Sequence, residues 1–569
     1  MAGRPEPDNM NLGRRFFADP WWGGTSLVLL CLAFYLIPNV YFPLTRAEAM
    51  YALIPKEMLN SGQWLTPTLN GAPYLDKPPL LYWLNLLFYK LFGASAGVAR
   101  LSTLAFTLGE VWITYLIGLR LVGPRAAWLG GFILLSSIGF FAHHFQILTD
   151  HLVTLALAAS LYFLLRWQER PTGRWAALFY LSLVVGFLSK GFIGLLFPVL
   201  IGSLYAWQQR QPRLLTLFCS PWGLALALTL VLPWFVLAEQ ANPGFLKHHI
   251  INEQVLRFLG ERQPPDINSF PIAGFWLFLG IWLMPWTVLL PEALYRFWRE
   301  TGLGFRVHKQ ARLLLIWPAV ILVFFTLSTC RIEYYSLPAL APLALVLGWR
   351  TDQYLNTGQG RSFFWGLLLI ALSGLGVLLL LPYLEQLCAG NRREFIGIFA
   401  LIKPVAWQAT FWLPALALLG AWLGRKRPWL TVTSYGALAL ATLYFTYQTL
   451  NLLSPTLSDN LPGKYLRTQA GTGDLVVMEA IEEFEYGASL AFYSGRRILM
   501  VQRDGLPQFP YPVPPAEDYL ISPDRLKELW QGPRRVFLLI DDATPPDPYL
   551  KNAPVVLTIT GKRLLANRP

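Results

Sequence analysis

Hydrophobic residues in this chain arrive in long blocks rather than on one face of a helical repeat. Ser26–Phe42, Ala126–Ala142, Leu152–Trp167, Trp222–Leu237, Phe270–Leu290 and Phe363–Leu381 are nearly uncharged runs. Each approaches the roughly 20 residues that carry a helix across about 30 Å of hydrocarbon. The pattern predicts a polytopic α-helical membrane protein, with about 13 spans near 25–43, 98–120, 126–142, 150–167, 175–188, 191–208, 214–237, 270–290, 311–328, 334–349, 362–382, 405–423 and 429–449. A further apolar stretch, Pro78–Phe92, is short, rich in Tyr and Trp, and interrupted by Asn85 and Lys90. Those residues favour headgroup depth, so this helix is expected to lie in the interface plane.

The polar gaps fix the orientation. Arginines gather between the blocks, at Arg125, at Arg166, Arg170 and Arg174, at Arg210 and Arg213, at Arg296, Arg299, Arg306, Lys309 and Arg312, at Arg350, and at Arg425, Lys426 and Arg427. Short basic loops mark the cytoplasmic side, and all of these share one side only if Pro78–Phe92 does not cross. The amino terminus is then inside (residues 1–24) and the carboxyl terminus outside. Two long outer loops result, 44–97 and 238–269, and loops of that length are usually functional. Arg14 and Arg15 precede the first apolar run, but no small-residue cleavage site follows it, so an uncleaved first helix is expected.

Composition agrees and narrows the classes. Hydrophobic residues are 54% of the 569 and charged residues only 14%, against about a quarter in soluble domains. The net charge of +13 is accounted for by the basic loops, which removes the argument for nucleic acid. The four cysteines are dispersed and have no metal-ligand spacing. After about residue 450 the pattern changes. Short β-branched runs (GDLVVMEA, RRILMVQ, RRVFLLIDD, VVLTIT) alternate with helical stretches at Ile481–Tyr493 and Pro523–Trp530. That predicts a small outer, periplasmic α/β domain over 451–569, behind a membrane domain over 25–450. It carries no dinucleotide fingerprint and reads as a docking or structural module.

Candidate chemistry clusters in the outer loops. Asp76-Lys77-Pro78-Pro79 holds a lysine at headgroup depth, where it is a ligand for a lipid-borne phosphate. Five of the six histidines lie in or beside two outer segments: His143, His144 and His151 around Asp150, and His248 and His249 in the long loop. With Asp76 and Asp150 they form a candidate cation or general-base site. An acid that opens an apolar run, as Asp150 does, is costly unless paired or functional, or else caps its helix. Arg257 either grips a phosphate or snorkels, and Arg331 and Glu333 either pair with each other or serve the site.

The pieces EAMYALIPKEML, SGQWLTPTLNGAPYLDKPPLLYW, TDHLVTL, GFLSKGF and RIEYYSLPALAPLAL, spread over roughly residues 20–350, resemble the GT-C membrane glycosyltransferases. The match is to the protein O-mannosyltransferase-like superfamily, and within it the aminoarabinose transferases that modify lipid A. The resemblance implies an inverting glycosyltransferase that moves a sugar from a polyprenyl-phosphate carrier to a lipid A-like glycolipid, glycan or protein at the outer face of the bacterial inner membrane. It implies phosphate contacts from Lys77 and Arg257, to which Arg331 is added, and a second outer acid at Asp150. The carrier needs an apolar groove, for which Tyr74, Tyr82, Trp83 and Tyr334 are the candidates. A divalent metal ion is the one cofactor in prospect, at Asp76 with His248 or His249. Three positions depart from the family pattern: the acid expected as base aligns with Ala47, the arginine after it with Met50, and the expected metal-binding histidine near Gln254. Glu48 beside Ala47 is therefore the expected base, together with Asp150. A non-catalytic relative, or a lipid or sugar transporter or flippase, is the alternative; transport pathways place ionisable groups near the midplane, whereas here Lys190 and the other candidates fall at span ends.

Overall fold

The computed structural model describes residues 19–263, 269–302, 306–389, 393–425, 427–479, 487–501, 519–541, 547–559 and 561–568. Lys426 and the first half of the helix expected at 481–493 lie outside them. Helices dominate, and every expected span coincides with helical structure. Among the described residues, six helices are long and apolar enough to cross a membrane: Pro20–Tyr41, Ala96–Leu121, Pro212–Ala241, Lys309–Leu327, Arg361–Tyr383 and Phe399–Gly424. Leu224, Leu228, Leu232 and Val236 on the third of these, and Trp365, Leu369 and Leu372 on the fifth, are exposed. Aliphatic surface this continuous is stable against acyl chains and not against water, so the chain is an integral membrane protein.

One expected span is not straight. The run over 270–290 forms two pieces, Ile272–Trp282 and Trp286–Thr301, that meet at 101°. Pro285 stands at the corner, where a residue without an amide hydrogen cannot continue the helical ladder. The second piece carries Glu292, Arg296 and Arg299 away from the bundle axis.

Polar contacts gather the connecting segments into two groups. In one, Arg125 pairs with Asp352, the Arg350 guanidinium donates to both oxygens of Glu292 at 2.7 and 2.9 Å, Arg120 pairs with Glu169 at 3.4 Å, and Gln168 and Gln209 bond Gln211 and the Lys309 carbonyl. In the other, the loop 44–97 meets 144–151, 190 and 242–262. The basic segments expected on one side thus bond one another.

The loop 44–97 is itself structured. The helix Arg46–Ser61 ends on Gly62 in the left-handed conformation, followed by a two-residue hairpin, β1 (Thr68–Leu69) and β2 (Ala72–Pro73), and the helix Leu80–Phe92. Its apolar residues do not make a core alone. Tyr51, Leu53, Leu69, Tyr74, Leu81 and Tyr82 are continuous with Leu466, Met478, Leu490, Ile498, Met500 and Phe537 of the carboxyl-terminal region.

That region is the expected α/β unit. A six-stranded sheet has the order β5 (Leu520–Ile521), β4 (Leu499–Val501), β3 (Leu475–Glu479), β6 (Val536–Asp541), β8 (Lys562–Ala566), β7 (Val555–Ile559). The first four strands are parallel and the last pairings antiparallel. Polar contacts seat it on the loop. Asn70, at φ +54° on the hairpin turn, donates to the Ile498 carbonyl at 2.7 Å and accepts from its amide at 2.9 Å. Asp459, fully buried, is flanked by Arg46 at 3.2 Å and Lys562 at 2.8 Å.

Candidate active site

The site is organised by an unusual helix. Lys247–Leu256 is a π-helix of ten residues, a form that recurs at functional sites and closes i to i+5. On an α-helix, residues five apart point about 140° from each other; here His248 and Glu253 share a face. One turn on, Arg257 resumes α geometry and reaches back to Glu253 at 3.3 Å.

Asp76 and Lys77 face this helix from the first loop. Asp76 Oδ1 lies 2.8 Å from His248 Nε2, and Lys77 Nζ donates to Glu253 Oε2 at 3.2 Å. Arg262 stands between the two acids. Its Nε donates to Glu253 Oε1 at 2.5 Å and its Nη2 to Asp76 Oδ2 at 3.2 Å. Both carboxylates are buried. Burial alone pushes the Glu253 carboxyl up, yet Lys77, Arg257 and Arg262 together outweigh it and hold it well below the usual carboxylate range. Asp76, His248 and Glu253 each offer a ligand atom within 4.8 Å of the others. Two carboxylates and an imidazole are a donor set that suits a divalent ion.

A second pair adjoins the first. Lys190 Nζ donates to Asp150 Oδ1 at 2.5 Å and stands 4.6 Å over the Tyr335 ring. It is near enough to Lys77 and Arg257 to feel their charge. Asp150 sits in the first turn of the helix Thr149–Glu169, where the helix dipole also favours an anion. Lys190 is the last residue of its helix. Gly191, at φ +86°, turns the chain there, and a Cβ at that glycine would press into the Gln254 side chain of the π-helix at 2.9 Å. The GFLSKGF motif thus brings Lys190 against the site. An apolar cavity of about 360 Å³ opens beside these charges, lined by Leu196, Val255, Phe258, Phe324 and Tyr335 together with Glu253 and Arg257.

Several expected site residues stand elsewhere. Glu48 is wholly buried, and its carboxylate has no open side. Oε1 accepts from the Thr45 amide at 2.8 Å and from Arg100, and Oε2 from Arg100 Nε and the Ile147 amide, each at 3.1 Å. The first of these is the reach-back half of a capping box. Arg331 bonds the carbonyls of Phe270, Thr326 and Ser328, and so ties two loops together. His249 turns from Asp76 into a ring pocket with Phe235 and Phe245. Tyr74 and Tyr82 are buried in the shared core, Trp83 Nε1 donates to the Trp64 carbonyl at 3.0 Å, and Tyr334 packs on His143 and Tyr335. His143, His144 and His151 form a separate buried group, with His144 Nε2 3.3 Å from the Glu110 carboxylate. Glu253 and Arg262 were not visible in the sequence as site residues.

Residues 76–237 match the family described as dolichyl-phosphate-mannose-protein mannosyltransferase. The chain is 33% identical over 374 residues to the undecaprenyl phosphate-alpha-4-amino-4-deoxy-L-arabinose arabinosyl transferase of Aeromonas salmonicida, covering 63% of this chain and 66% of that one. It is 31% identical over 385 residues to a second such enzyme from Pseudomonas fluorescens, again with 66% of the relative covered. The matched stretch thus stops just short of two thirds of each relative. Among solved structures, ArnT from Cupriavidus metallidurans bound to undecaprenyl phosphate superposes with a TM-score of 0.78, covering 95% of this chain and 97% of that one at 22% identity. That likeness establishes the fold, and its apo form gives 0.76.

Proposed function

We propose that the chain is a GT-C membrane glycosyltransferase of the aminoarabinose transferase branch, as its family match and relatives support, and that it transfers a sugar from undecaprenyl phosphate to a lipid A-like glycolipid at the outer face of a bacterial inner membrane. The observation that carries the reading is the convergence of Lys77, Arg257, Arg262 and Lys190 beside an apolar cavity. A polyprenyl phosphate asks for such a cationic clamp at the head and an apolar groove for the tail. We assign the phosphate to Lys77 and Arg257 and the tail to the cavity with Phe258, Phe324 and Tyr335. Arg331 and the aromatics of the first loop support that frame from outside it.

Asp150 is the proposed base. Lys190 orients it at the edge of the phosphate cluster, where it takes the acceptor hydroxyl's proton as that oxygen attacks the anomeric carbon and the carrier phosphate departs. Glu48 serves as a positioning residue: through Arg100 and the Ile147 amide it fixes the segment that leads to Asp150. A divalent ion that displaced Arg262 would be held by Asp76, His248 and Glu253 and would add positive charge to the site. The topology proposed with this reading has 13 spans, the amino terminus inside, and the domain from about 451 outside. The two groups of connecting segments, one basic and one bearing the site, support it.

The test is transfer in nanodiscs from a radiolabelled undecaprenyl-phosphate sugar. Asp150→Asn should lower the rate by about 10²–10⁴, the range for a lost general base. Lys77→Met should weaken donor binding by tenfold or more, since one charge-assisted hydrogen bond contributes about 1.5–3 kcal/mol. Transfer by Asp150→Asn at the wild-type rate would remove Asp150 from the mechanism, and no transfer from any polyprenyl-phosphate donor would remove the reaction.

A further inference from the structure

The strongest unassigned feature is the place of Arg262. Its guanidinium spans the two buried acids of the site, Nε on Glu253 and Nη2 on Asp76. Two carboxylates and an imidazole drawn this close would ordinarily be joined by a divalent cation, and without a cation between them the two anions repel. Here each of the four carboxylate oxygens already has a partner. Glu253 Oε1 accepts from Arg262 and Oε2 from Lys77 and Arg257; Asp76 Oδ2 accepts from Arg262, and Oδ1 faces His248. Three cationic side chains thus face two carboxylates. A divalent ion added to that set would have to displace Arg262 to reach both acids.

We propose that Arg262 is an internal replacement for the metal ion: it holds Asp76 and Glu253 in place in the resting site, and divalent cations bind there only in competition with it. Arg262 is a positioning residue in this role. It keeps Glu253 where Lys77 and Arg257 can both reach it, and so sets the spacing of the two groups assigned to the donor phosphate. The arrangement is specific to arginine, because only a planar fork offers two donors at the separation of two different carboxylates.

The full-length protein in nanodiscs, stripped with EDTA, should be titrated with Mn²⁺ followed by electron paramagnetic resonance. This measures the metal site without reference to transfer, so its outcome and that of the activity assay are independent. Arg262→Ala should bind Mn²⁺ at least tenfold more tightly than wild type, and Asp76→Asn added to Arg262→Ala should return binding to the wild-type level. Arg262→Lys, which keeps a cation but cannot bridge both acids, should bind Mn²⁺ with an affinity between those of wild type and Arg262→Ala. The melting temperature of the wild type should be unchanged by EDTA or by added Mn²⁺. Tight stoichiometric Mn²⁺ binding by the wild type, or no gain in Arg262→Ala, overturns the proposal; if Arg262→Ala does not fold, the wild-type titration and melting curves decide it alone.

Discussion

His249 and Glu253 lie on the same ten-residue helix, yet opposite physics governs them. Glu253 is kept charged by three cations. His249 is kept neutral: burial, reinforced by Lys77 and only partly offset by Glu253 and Asp76, lowers its pKa to about 4. Below pH 6.5 the unfolded chain takes up a proton that folded His249 refuses, so its contribution to stability is complete above pH 6.5 and is lost as pH falls toward 4. A drop of that size corresponds to about 3 kcal/mol. The melting temperature of the detergent-purified protein should therefore fall between pH 6.5 and 4, and His249→Phe should flatten that slope relative to wild type. An equal slope in the variant would show that the ring is not protected. Asp76, Lys77, Asp150, Arg257 and the histidine pair stand out in the sequence as candidates because charged groups beside apolar runs are conspicuous. The sequence could not choose between His248 and His249. That choice depends on the π-helical turn, for which HHIINEQVLRF carries no periodic mark. Arg262 was hidden for a different reason: it lies past the helix, and only tertiary folding returns it to Asp76. Glu48 misled because adjacency to Ala47 says nothing of direction, and its side chain points toward Arg100.

Among elements, positions along the chain were more legible than shapes. Each apolar block became helical, but the block at 126–142 breaks at Ser136 and Ser137 and the block at 270–290 at Pro285, and neither break could be read from hydropathy, which both pieces share. The strands of the last domain were readable from their β-branched runs; β5 and β8 are short or charged and were not. The hairpin β1–β2 shows how a small element acquires weight. Asn70 at its turn is the sole described side chain that bonds both the amide and the carbonyl of Ile498. Asn70→Ala would leave two buried backbone groups without partners, at about 1–3 kcal/mol each. We expect the carboxyl-terminal domain of that variant to be cleaved by a soluble protease at least tenfold faster than in wild type, with the membrane helices intact. Unchanged cleavage would assign the docking to the apolar core alone.

For the whole molecule, the decisive sequence signal was the distribution of arginine, and the decisive structural one is which loops touch. Both depend on whether Leu80–Phe92 crosses. With Ser95→Cys in a background lacking the native cysteines, an impermeant maleimide applied from the periplasmic side should label residue 95; labelling solely from the cytoplasm would invert the proposed topology beyond this helix.

The shared core of the first loop and the last domain sets a timetable for synthesis. Asn70 and Ile498 are separated by 428 positions, so at about 5–20 residues per second a ribosome reaches the second roughly 20–90 s after the first. Throughout that interval Tyr51, Leu69 and Tyr82 of the loop that bears Asp76 and Lys77 lack the apolar partners that cover them in the folded chain. The packing of that loop is therefore completed only by a segment made long after it.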